Sequence, residues 1–169
     1  MATISTTAPN AAPIDARIRQ CLADELAALE QFHGLLLSEQ SVLQSGDADK
    51  LLPISDKKSA LAERLGTLLK ARELALTQAG FTGNREGMER WVAMTPNQPD
   101  NVAKQWARLL ELAATARTQQ DVNGKLIAIQ MQHTQQALAA LMAASGRPLT
   151  YGPDGQQRLG GGGRALGSA

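Results

Sequence analysis

Leu22, Leu29, Leu36 and Leu43 recur every seventh residue, and Ile18, Leu26, Phe32 and Leu35 fill the same side of the pattern. A period between 3.5 and 3.6 gathers them into one apolar stripe on a long helix that must pack against other helices. The spacing predicts that this helix begins near Ile14, after Pro13, and stops at Ser45-Gly46-Asp47. Gly46 can take the left-handed conformation that closes a helix, and Asp47 can cap the next one.

The second stripe holds Leu51, Ile54, Leu61, Leu65 and Leu68, with Lys58 where an apolar residue is expected. A lysine stem can lie along such a stripe while its ammonium reaches solvent or a carboxylate. Pro53 removes a backbone donor, so it should kink this helix or restart it there. Gly80 ends the helix. Asn84 can cap a short helix through Met94 that carries Met88, Trp91 and Val92, and residues 95–100 read as a loop. A short break between two apolar stripes favours antiparallel neighbours, so the first two helices should form a hairpin.

The last helix should run from about Asn101 to Ala144. Its first half is apolar through Val102, Trp106, Leu109, Leu110 and Ala113, whereas Ala116, Gln120, Asn123, Gln130 and Thr134 interrupt the same side. The apolar side resumes through Ile127, Ala137, Leu138 and Leu141. Buried amides need partners to offset their desolvation. Either these amides bond across a bundle and set its register, or this part of the helix lies outside the bundle. In the second case Leu126, Ile127, Ile129 and Met131 sit near an open face that a partner helix can cover.

Composition narrows the class. The 169 residues allow one domain, and Val, Ile, Tyr, Phe and Trp are too few for a sheet, so the chain reads as all-α. The architecture expected is an antiparallel helical hairpin or bundle with a long C-terminal helix and disordered termini. Residues 1–13 form a disordered N-terminus, 14–145 the helical domain and 146–169 a flexible tail. A formal net charge of +1 gives no field of one sign to attract nucleic acid or an acidic membrane. No stretch approaches the ~20 apolar residues that cross a bilayer. The first residues lack the basic cluster and apolar run of a signal peptide, so the protein is expected to be cytoplasmic.

Chemistry is sparse. Cys21 is the single cysteine, so no internal disulfide forms, and its neighbour Leu22 suggests a buried, inert thiol. Neither a phosphate-binding glycine loop nor a zinc pattern is present. Glu30 and His33 have the Glu-x-x-His spacing of di-iron carboxylate bundles, but the nearest echo, Gln130 and His133, puts an amide where an anionic ligand is needed. No metal, cofactor or catalytic residue is expected. Tyr151, the only tyrosine, stands in Leu149-Thr150-Tyr151-Gly152-Pro153-Asp154-Gly155-Gln156, where folding has no evident use for it. A lone aromatic there is better explained by a partner than by a core.

Asn123-Gly124-Lys125-Leu126-Ile127, then Gln132-His133-Thr134-Gln135-Gln136-Ala137-Leu138 with Leu141, then the segment 149–156, together resemble the FlgN family of flagellar type III export chaperones. Leu43-Gln44-Ser45-Gly46-Asp47 with Lys57 or Lys58 is similar to that family's first hairpin. The resemblance implies a non-enzymatic, cytosolic chaperone. It would hold the two hook–filament junction proteins unassembled and deliver them to the export gate, with export ATPase-associated proteins as further partners. By resemblance, cargo binding falls on Asn123, Leu126, Ile127, Gln130, Thr134, Leu138 and Leu141. Docking to the export gate falls on Tyr151, Gly152, Asp154 and Gly155. A self-assembling structural bundle is the alternative, with a di-iron carboxylate protein more remote.

Overall fold

A computed structural model describes residues 13–94, 101–145, 150–151 and 157–158. Four α-helices carry it: α1 (Ile14–Ser45), α2 (Leu51–Gln78), α3 (Arg85–Met94) and α4 (Val102–Ala144), with a short 3-10 turn, Ala48–Lys50, between α1 and α2. Contacts divide the chain into two units, residues 1–124 and 125–169, so the division falls within α4.

In the first unit, α1 and α2 form the antiparallel hairpin that the two stripes predict. Gly46 closes α1 at φ 74°, and its N–H returns to the Val42 carbonyl. Asp47 stands at the start of the 3-10 turn without making a cap bond, because its carboxylate pairs with Lys50 instead. Pro53 produces no mid-helix break. It is the third residue of α2, in the first turn, where a backbone N–H has no helical acceptor to lose. Asn84 caps α3 as its sequence suggests: its side-chain oxygen accepts the Gly87 N–H at 2.9 Å.

The core lies where the start of α1, the end of α2, α3 and the start of α4 meet. Ile18, Leu22, Leu76, Met88, Trp91 and Trp106 are among its buried members, and Leu29 packs against them. Trp91 donates its indole N–H to Asp15 at 2.8 Å, which ties α3 to the first turn of α1. Gly87 is required by close approach. A Cβ there would lie 1.8 Å from the Thr82 carbonyl oxygen.

Two ion pairs, one buried and one part-buried, join the hairpin. Arg72 donates to Glu25 at 2.7 Å, and Lys58 donates to both Glu39 oxygens at 2.8 Å. Glu25 and Glu39 stand two heptads apart on α1, and Arg72 and Lys58 stand two heptads apart on α2. The two pairs therefore belong to one register about the turn, and a slip of either helix would leave all four charges unmatched. Burial pushes the Glu25 carboxyl above its ordinary range, against the lowering effect of the Arg72 bond and charge. The pair thus specifies alignment more than it adds stability.

In the second unit α4 continues to Ala144, and Thr150–Tyr151 (β1) pairs antiparallel with Gln157–Arg158 (β2), Tyr151 opposite Gln157. The sequence pattern gave no strand in this tail. A pair of two-residue strands leaves the chain all-α. Residues 1–12 of the expected N-terminal segment 1–13, and Gly152, Asp154 and Gly155 in the tail, lie outside the described residues.

Candidate partner-binding site

The polar centre of α4 resolves into two parts. Up to Asn123, the line that buries is Val102, Trp106, Leu109, Leu112, Ala116 and Asn123, with Gln119 half-buried. Ala113 and Gln120, expected on this face, are exposed, since the helix follows the line one residue earlier at each point. Each ion pair of the hairpin meets one member of the line. The Trp106 ring lies under the Arg72 guanidinium at 5.1 Å, a cation–π contact. Asn123 donates to Glu39 at 2.8 Å and to the Leu36 carbonyl at 2.8 Å, while its own oxygen accepts from Gln119 at 3.0 Å.

Asn123 is 1% exposed, so the side chain expected to touch a partner is instead spent inside the protein. Both hydrogens of its amide are used, and its oxygen accepts one bond. This is the first of the two alternatives that the sequence left open, and it holds for Asn123. Lys58 completes the clasp from α2, its ammonium on the carboxylate, as the apolar stripe allowed.

Beyond Gly124 α4 belongs to the second unit. From Lys125 to Ala144 no residue is buried, and Leu126 and Gln130 are half-buried. Ile127, Met131, Thr134, Leu138 and Leu141 follow one another at steps of four, three, four and three, the spacing of a heptad seam. The four apolar members are 38%, 58%, 46% and 67% exposed in chain order. Thr134 is exposed as well, and its hydroxyl already donates to the Gln130 carbonyl at 3.0 Å. The seam is displaced by one residue, about 100° around the helix, from the line of Asn123, Leu126 and Gln130.

Charge is missing from this segment. Between Leu126 and Ala144 stand no Asp, Glu, Lys or Arg, and His133 is its one titratable side chain. A helix face turned permanently to water ordinarily carries charged residues. Thus the candidate site is an exposed, uncharged heptad seam on the part of α4 that lies in the second unit. Of the residues assigned to it from sequence, Ile127, Thr134, Leu138 and Leu141 share the seam and Leu126 and Gln130 flank it, whereas Asn123 lies in the first unit and is buried there.

A family model described as FlgN protein matches residues 15–158, which span the hairpin, the clasp, the seam and the paired strands of the tail. The chain belongs to the FlgN family. It is similar to a flagella synthesis protein FlgN of Yersinia enterocolitica, with 30% identity over 144 residues, covering 84% of this chain and 90% of the relative. A second relative of the same name, from Yersinia enterocolitica serotype O:8 / biotype 1B, matches at the same identity and coverage. No solved structure matches.

Other chemistry in the described residues is limited. No group of three His, Cys, Asp or Glu side chains there is placed to hold a metal ion, so Glu30 and His33 gather no further ligands. Cys21 is half-buried rather than buried, and burial, followed by Glu25 and Asp24, pushes its thiol up, which disfavours the thiolate. None of the described helices is long and apolar enough to cross a membrane.

The buried carboxylates were missed by sequence reasoning. Their signal was available: Glu25 and Glu39 fall on the inner side of the α1 stripe, and Arg72 and Lys58 lie at mirror positions about Ala48 and Asp49, in the 3-10 turn between the helices. Charges of opposite sign at matched distances from a turn mark an antiparallel register.

Proposed function

We propose that this protein is a non-enzymatic chaperone of flagellar export, which binds the hook–filament junction proteins in the cytosol and delivers them to the export gate. The observation that carries this reading is the exposed, uncharged heptad seam from Ile127 to Leu141. A subunit that later assembles through terminal amphipathic helices must have them covered until then, and such a helix laid on the seam is recognition of the helix-in-groove type. Burial of apolar surface contributes about 25 cal/mol per Å², and ordering of the incoming segment takes back part of that gain. Binding of this kind is firm enough to protect and weak enough to release.

The family relationship to flagella synthesis proteins supports the biological setting. Leu126, Ile127, Gln130, Thr134, Leu138 and Leu141 form the cargo face in this proposal. Docking to the gate rests with Tyr151, Gly152, Asp154 and Gly155. Tyrosine offers an apolar body with a hydroxyl tip, suited to a shallow pocket.

The test is Ile127→Asp, measured by complex formation with a terminal fragment of a junction protein and by circular dichroism. The variant should lose the complex and keep its helicity, because Ile127 is exposed in the free chain. Normal binding would place the cargo face elsewhere. For the tail, Tyr151→Ala should leave the melting temperature and cargo affinity unchanged while gate binding weakens. A drop in melting temperature with gate binding intact would show that Tyr151 serves folding.

A further inference from the structure

We draw no further inference here: the strongest candidate, the open apolar groove between α1 and α2 lined by Gly34, Leu35, Ser38, Ala60 and Leu61, is an unpartnered face of the hairpin, and nothing in the structure shows what covers it.

Discussion

Replacing Asn123 by alanine should destabilise the first unit by about 2–4 kcal/mol without altering the apolar face beyond it. The magnitude follows from which partners remain. The substitution removes the donor to Glu39 at 2.8 Å and the donor to the Leu36 carbonyl at 2.8 Å. A hydrogen bond to a charged group contributes about 1.5–3 kcal/mol and a neutral one about 0.5–1.5 kcal/mol. The loss is about 1 kcal/mol smaller than the 3–5 kcal/mol that follows from isolating a buried charge, because Lys58 still holds both Glu39 oxygens. Gln119 also loses its acceptor, yet it is half-buried and water can replace that bond. Urea unfolding followed by circular dichroism reads the effect as a lower midpoint at unchanged slope. Because Asn123 is sealed from solvent, Asn123→Ala at concentrations where the protein stays folded should bind the cargo fragment within about threefold of wild type. Loss of less than 0.5 kcal/mol would refute the clasp. Selective loss of cargo with stability intact would show that Asn123 meets the partner directly, and the description of its burial would then fail for the working molecule.

Further perturbations test other parts of the structure. Glu25 has its folded-state value raised above the ordinary 4.5, so the folded chain retains its proton longer than the unfolded chain does. Its contribution is therefore full below that ordinary value and is lost as pH rises through the raised one. The stability difference between wild type and Glu25→Gln should shrink as pH climbs through this window, and a difference that grows would show that the Arg72 bond outweighs burial. Removing Arg72 alone should cost about 3–5 kcal/mol by leaving Glu25 unpaired, while the double change to leucine at both positions should recover most of it, measured by urea unfolding. Gly87→Ala should cost about 1–3 kcal/mol through the clash with the Thr82 carbonyl. Gly124→Ala, with open space around its Cβ, should instead raise thermal stability by about 1 kcal/mol.

The helices, their hairpin and most of the core were legible in the sequence because apolar side chains at heptad spacing answer to one physical demand, burial on a single face. Lys58 was legible as an oddity in the α2 stripe, and so was the need for its ammonium to reach a carboxylate or solvent. Which carboxylate it reaches was not, since an apolar stripe marks no acidic position, and Glu39 is singled out only by its mirror relation to Lys58 about the 3-10 turn. The shift by one residue along α4, from Leu112 and Gln119 rather than Ala113 and Gln120, was hidden for another reason. Alanine and glutamine occur on both lines, so periodicity alone does not tell one face from the next.

The same ambiguity explains why the polar centre of α4 admitted two opposite readings, and why both describe part of it. Periodicity reports that a helix has an apolar side, and nothing in it says whether that side meets the protein's own hairpin or another chain. The difference is written in what accompanies the apolar residues. Up to Asn123, the buried line ends on groups that answer particular partners on α1 and α2, an indole beneath Arg72 and an amide on Glu39. After Gly124 the seam moves one residue around the helix, charge vanishes, and no described side chain of the segment is buried. A face that is apolar, unpartnered and free of charge over its whole length carries no device that tells one amphipathic helix from another. Selectivity for cargo, in this scheme, has to come from the shapes that fill the layers of Ile127, Met131, Leu138 and Leu141. Salt should then have little effect on cargo affinity, because no ion pair to the segment 126–144 is available to be screened. Titration of the cargo fragment at low and high ionic strength measures this directly. A tenfold weakening at high salt would mean that charged residues outside the seam, rather than the seam itself, hold the partner.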